Sequence, residues 1–182
     1  MSPVIRFGTK PFVIASWTIA RLPESASAKL PSRGQVMVEG TINGTHFQSP
    51  LEPDGRGSHW LRIDKSMGQA AHIQPGQTAT LKIEPSKNWP EPEVPADLRK
   101  ALAAAPEAHA LWEQVTPLAR WEWIRWTRST GRQETRQRRI DVAISKLKAG
   151  ERRPCCWNRN LCTEPSVSKN GVLLEPAQPP AV

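Results

Sequence analysis

Apolar and polar positions alternate along much of the first half of the chain. Val36, Val38, Gly40 and Ile42 share one side of an extended stretch, and Met37, Glu39 and Thr41 share the other. This is the period-2 pattern of a half-buried strand. Asn43-Gly44 follows, the strongest hairpin-turn signal in the chain, and a return strand is predicted over Thr45–Ser49. Phe12–Arg21 mixes apolar and β-branched residues and predicts one strand, ended by Leu22-Pro23. His59–Asp64 and Thr78–Ile83 predict two more, with a helical turn over Ser66–Ala71 between them. Glu24–Ser32 and Pro50–Ser58 are small, polar and turn-rich, and are expected to be loops. Short strands at this spacing predict a small barrel.

In the second half the apolar period becomes helical. Pro95 opens a helix that reaches Ala105, and Pro106 opens another that reaches Val115. Thr116 is a good N-cap, and Pro117 suits the first position of the next helix. That helix carries Leu118, Trp121 and Ile124 on one face and Ala119, Trp123 and Trp126 on another. An element apolar on two sides is expected to be buried between layers. A turn is expected at Arg128–Gly131, with Gly131 at positive φ and Thr130 capping the next helix. The second helix, Arg132–Ala149, bears one stripe of Ile140, Ala143, Ile144 and Leu147, and Gly150 is a good stop.

The predicted fold is therefore α+β. A small N-terminal β-barrel occupies residues 1–90, and a helical domain built on a helical hairpin occupies 91–153. A proline-rich, extended tail is expected over 154–182, and Pro85–Pro95 is the natural linker between the first two parts.

Charge sharpens this division. The formal net charge over 182 residues is +8. Residues 1–94 carry 10 Lys and Arg against 8 acids, a net of +2, whereas residues 95–159 carry 14 against 7, a net of +7. The basic excess thus belongs to the helical part. Arg128, Arg132, Arg136 and Arg139, with Trp123 and Trp126, make up the candidate binding set. Arginines can hold phosphates and tryptophans can stack on bases, so nucleic acid could bind through residues 120–139. The competing expectation is that the arginine stems cover tryptophan faces and their heads meet carboxylates.

Other chemistry is sparse. Cys155, Cys156 and Cys162 form a C-C-x5-C pattern, a weak candidate for a metal because adjacent ligands are awkward to place on one tetrahedron. Free thiols in a reducing compartment are expected instead. There is no G-x-S-x-G, phosphate-loop or paired-histidine motif, so no catalytic residue, metal or cofactor is expected. No apolar run reaches the roughly 20 residues of a membrane span. MSPVIRFGTK lacks a signal-peptide core, so a cytoplasmic place is expected.

Three stretches carry a resemblance. The first is Val38-Glu39-Gly40-Thr41-Ile42-Asn43-Gly44 with Phe47, Leu51 and Gly55-Arg56-Gly57. The second is Val94-Pro95-Ala96-Asp97-Leu98 with Ala101-Leu102. The third is Trp123-Ile124 followed by Glu134-Thr135-Arg136-Gln137-Arg138-Arg139-Ile140. In that order they resemble a bacterial family in which a domain of unknown function precedes a YdeI/OmpD-associated, bacteriocin-protection-like helical domain. The resemblance implies a double-split β-barrel ahead of the helices and brings no catalytic residues. The function it suggests is that of a non-enzymatic cytosolic binding or interaction protein, acting in bacteriocin or stress protection. Its partner would be an unknown protein or a small anionic ligand. The alternatives are a nucleic-acid-binding protein using the basic hairpin, and an enzyme or anion binder with a site between barrel and helices.

Overall fold

The computed structural model describes residues 4–154 and 164–176. The chain forms two compact units. One comprises the described residues up to Asn88 together with 164–176, and the other runs from Trp89 through 154.

The first unit is a sheet of seven antiparallel strands: β1 (Ile5–Thr9), β2 (Phe12–Ile14), β3 (Trp17–Arg21), β4 (Val36–Ile42), β5 (Thr45–Pro53), β6 (His59–Ile63) and β7 (Ala79–Pro85). They lie in the order β1-β7-β4-β5-β6-β3-β2 and curl into a half-barrel. Two short helices complete the unit, α1 (Glu24–Ser27) and α2 (Lys65–Ala70). The main core lies on one face of the sheet. Ile5, Val38, Ile42, Leu51, Leu61, Leu81 and Ile83 are each at most 1% exposed there.

The β4–β5 turn has the predicted form. Ile42 pairs with Thr45, and Asn43 and Gly44 have φ of 48° and 85°, the left-handed pair of a type I′ turn. A Cβ at Gly44 would meet nothing within 4 Å, so any cost of a side chain there is backbone strain alone. Gly44→Val should lower stability by about 1 kcal/mol or more. A thermal melt superimposable on the wild type would show that the turn tolerates a branched residue.

Besides the short helix α1 inside the expected loop Glu24–Ser32, three sequence expectations for the sheet unit need correction. Phe12–Arg21 is two strands. The chain reverses at Ala15-Ser16, where Ala15 has φ 51°, and Ile14 pairs with Trp17. Alanine is a poor residue for the left-handed turn position, and the hairpin closes because Phe12 and Ile19 pair across it and join one apolar cluster. The strand β5 runs on to Pro53 rather than stopping at Ser49. The loop that remains is tightened by Asp54, whose Oδ1 accepts from the backbone N–H groups of Arg56 (2.8 Å) and Ser58 (2.9 Å). The third correction concerns the tail. Over 164–176 it is a hairpin of β8 (Ser168–Lys169) and β9 (Val172–Leu173), not extended chain. Its turn is Asn170-Gly171, with φ of 54° and 80°, the same signal that marks β4–β5.

The second unit holds α3 (Ala96–Ala103), α4 (Pro106–Gln114), α5 (Pro117–Arg128) and α6 (Gln133–Lys148). Leu98, Leu102, Trp112, Trp123, Ile124, Ile140 and Leu147 form its core. Thr116 caps α5 by accepting from the Ala119 N–H at 3.3 Å. Gly150 ends α6 at φ 85°. Gly131 does not take the expected positive φ. The α5–α6 turn is held by hydroxyls instead: Ser129 Oγ donates to the Trp126 carbonyl (2.6 Å), and Thr130 Oγ1 accepts from the Arg132 N–H (3.1 Å). From Trp89 onward the proline-rich stretch is tied to α5. Trp121 Nε1 donates to the Pro90 carbonyl (2.8 Å), and Arg120 pairs with Glu91 (2.6 Å).

Candidate ligand site

The helical hairpin uses much of its basic set internally. Arg136 donates from Nε and Nη2 to the two oxygens of Asp97, at 2.5 and 2.9 Å. This bidentate fork is the strong form of the pair. The hydrogen bonds from Arg136 hold the Asp97 carboxyl below its usual range, and the same contact raises the guanidinium of Arg136. Arg139 donates from Nη1 to the Trp126 carbonyl at 3.0 Å and to Ser129 Oγ. It thereby adds a charged donor to a carbonyl at the end of α5 that also accepts from the Ser129 N–H (3.3 Å) and Oγ, while its charge lies 5.7 Å from the centre of the Trp126 ring. Trp123 is fully buried, edge-on to a half-buried Trp126 at 6.0 Å, and is closed to a stacking base. Arg128 and Arg132 are exposed. Cys155, Cys156 and Cys162 lie outside the described residues. Among the described residues no group of three His, Cys, Asp or Glu could hold a metal ion, and no helix is long and apolar enough to cross a membrane.

The half-barrel carries a cleft that the sequence reading did not single out. It has a volume of about 730 Å³ and lies between the start of β3, the end of β6, and α2 with the loop after it. Its distinguishing contact is Arg62, whose guanidinium carbon lies 3.7 Å from the centre of the Trp17 ring. Such a stack holds an exposed cation flat on an aromatic face. Lys65 and His72 line the same cleft, as does Asp64. Asp64 is already engaged, since it caps α2 by accepting from the Met67 N–H (2.8 Å) and Ser66 Oγ (2.7 Å). Those bonds, the Met67 N–H first, keep its carboxyl below the ordinary range. Both rims are set by unusual backbone. Ala15, at φ 51°, precedes the lining residues Ser16 and Trp17, and His72, at φ 50°, ends the turn after α2. A left-handed alanine costs roughly 1–2 kcal/mol, the kind of strain that gathers at functional sites.

A second constellation looks catalytic and is not. Ser27 and His59 are fully buried, with Ser27 Oγ 2.7 Å from His59 Nδ1. His59 Nε2 lies 2.8 Å from the Gly34 carbonyl, which can only accept, so this nitrogen donates and Nδ1 accepts from Ser27. Arg33 in turn donates to Ser27 Oγ (3.2 Å) and to the Leu30 carbonyl (3.1 Å). No substrate reaches the serine, and the network pins α1 and the loop after it to β6.

Burial, the largest cause, pushes the His59 pKa below the ordinary 6.5. The unfolded chain therefore takes up this proton first. The stability tied to neutral His59 is complete above about pH 6.5 and is lost as pH falls from there toward the lower folded value, with a slope of at most about 1.4 kcal/mol per pH unit. Asp97 acts lower on the scale, because the stability from its depressed pKa is lost only as pH falls below 3.8. Melting temperature should decline between pH 7 and 5 and drop again below pH 4. A flat profile from 7 to 5 would show that His59 is not held neutral.

A curled antiparallel sheet with a cationic, aromatic cleft, joined to a four-helix unit, defines a two-unit α+β protein. Residues 91–150 match the family described as bacteriocin-protection, YdeI or OmpD-associated, and residues 2–83 match a domain of unknown function, DUF1905. The chain is thus similar to the YdeI/OmpD-associated family over its helical unit, and to that domain of unknown function over most of its sheet. No curated protein matches the chain.

Proposed function

We infer that the protein is a non-enzymatic binding protein and that its ligand is a small planar anion held in the half-barrel cleft. The observation that carries this reading is the Arg62–Trp17 stack. It presents the outer plane and N–H edge of a guanidinium held flat on the Trp17 ring, on which a planar ring can stack while its acidic substituent meets the N–H groups, in a space large enough for both. Lys65 adds positive charge, His72 adds a ring nitrogen to the lining, and the one carboxylate there is occupied as a helix cap. The description of the family as bacteriocin-protection is compatible with holding a small molecule rather than converting it. The nucleic-acid alternative is weaker, since Arg136 and Arg139 are committed to contacts within the helical unit.

The test is calorimetric titration with benzoate and adenosine monophosphate as planar anions, and inorganic phosphate as the ringless control. At least one planar anion should bind, and Arg62→Ala should weaken it about 10-fold or more, the scale of one charge-assisted hydrogen bond. Equal binding of phosphate and the planar anions would remove the stacking argument, and no binding by any of the three would remove the site.

A further inference from the structure

The hairpin of 164–176 meets the sheet much as a bound peptide would. It forms a two-stranded sheet of its own and joins no ladder of the seven-stranded sheet. Two side chains anchor it, Val167 at 0% and Leu173 at 1% exposure, in a cluster with Ile14, Ile19 and Trp60. The floor of that cluster is the outer face of the sheet. Ala20 and Leu61, the chain neighbours of Ile19 and Trp60, point into the main core on the other face, as strand alternation requires.

Three further contacts fix the register. The Leu173 N–H donates to the Asp54 carbonyl at 2.9 Å. Gly55 leaves room for the turn, since a Cβ there would overlap the Gly171 carbonyl oxygen and come within 2.9 Å of Val172 Cα. Glu175 then places its carboxylate between two cations, 3.3 Å from Arg21 and 2.8 Å from Arg56. Apolar anchors, a backbone bond and a carboxylate clamp are the parts of a peptide-recognition groove. The hairpin also lies outside both family matches, which cover residues 2–83 and 91–150. The floor and both clamping arginines lie within the residues matched to the N-terminal domain, whereas the segment that fills the groove lies outside both matches.

We propose that this outer face is a docking groove for a turn-forming, acidic segment of another protein, and that residues 164–176 occupy it in cis. The recognised pattern is the one seen here: an apolar residue, an Asn-Gly turn, a second apolar residue two positions after the Gly, and a carboxylate two positions further on. Tethering gives the cis segment a millimolar-scale effective concentration, so a partner gains access when the hairpin is released. The proposal is independent of the cleft reading.

The test uses the full chain carrying Val167→Asp and Leu173→Asp, which removes both anchors of its own hairpin. The probe is a labelled synthetic peptide of residues 164–176, followed by fluorescence anisotropy. The released variant should bind it, and wild type should bind at least 10-fold more weakly because the groove is filled. A peptide with Glu175→Lys should bind the released variant poorly. It should recover when Arg21→Glu and Arg56→Glu are added to the protein. A released variant that keeps the wild-type near-ultraviolet dichroism yet ignores the peptide overturns the proposal, as does binding insensitive to the charge exchange. If the anchor variant does not fold, hydrogen exchange of residues 164–176 decides in an otherwise wild-type chain. Arg21→Glu with Arg56→Glu should accelerate exchange there, and adding Glu175→Lys should restore protection. Unchanged exchange overturns the clamp. Exchange dimers of wild type that the free peptide dissolves would assign the groove to a second copy and overturn the heterologous partner.

Discussion

Alanine at position 40 should destabilise the half-barrel by about 3 kcal/mol or more, the upper range for forcing atoms into a packed interior. Gly40 sits in the middle of β4, between Phe47 of β5 and Ile83 of β7. A Cβ there would overlap the Lys82 carbonyl oxygen and lie 2.9 Å from Ile83 Cα. Both obstacles are backbone atoms of β7, itself paired with β1 on its far side. No flexible side chain can move aside, so relief requires opening the β4–β7 ladder at the centre of the sheet. Gly40 is not in the left-handed region, so the penalty is steric and not conformational. Gly68→Ala is the matched control. Its Cβ would make an ordinary 3.6 Å contact with Ile63 in a helical position, and its stability should be unchanged or slightly raised. Thermal melts of both variants check this, and a Gly40→Ala protein as stable as wild type would mean that the two strands separate without cost.

Trp123→Ala should cost about 3–5 kcal/mol, the range for emptying a buried large aromatic site. Trp123 is fully buried among the four helices. It stands edge-on to Trp126 and donates from Nε1 to the Arg152 carbonyl at 3.3 Å, which ties the segment after α6 back onto α5. A unit this small has a margin of only a few kcal/mol, so the variant should lose most of its helical circular dichroism at 25 °C. The sheet unit has its own core, and the signal of its tryptophan cluster around Trp17 and Trp60 should survive. Trp123→Phe should retain the helices. Intact helicity in the alanine variant would place Trp123 outside the essential core.

The elements were legible where one local signal was enough. Alternation over Val36–Ile42, the Asn43-Gly44 pair, and the Thr116-Pro117 start of α5 each rest on a few adjacent residues, and each stands in the structure. Other features depend on distant partners. The Ala15-Ser16 reversal has no Gly, Asn or Asp at its left-handed position, which Ala15 takes, and only the pairing of the strands on either side reveals it. Asn170-Gly171 carries the same signal as Asn43-Gly44 but sits in a proline-rich stretch where no strand was expected around it. Arg136 was visible as part of a basic stripe, yet its partner Asp97 lies 39 positions earlier. The cleft draws Trp17, Arg62 and His72 from three separate segments, with no spacing that would single them out.

The return of residues 164–176 to the sheet unit alters how the chain carries load. The helical segment from Trp89 onward is an insert, bounded before and after by parts of the same unit. A pull applied ahead of β1 and beyond β9 is borne first by the docked hairpin, and the helices feel no tension until Val167 and Leu173 leave their seat. A single nick between Pro85 and Pro95 would likewise leave the pieces clasped through that hairpin, and freeing the helices would take a second cut between residues 154 and 164.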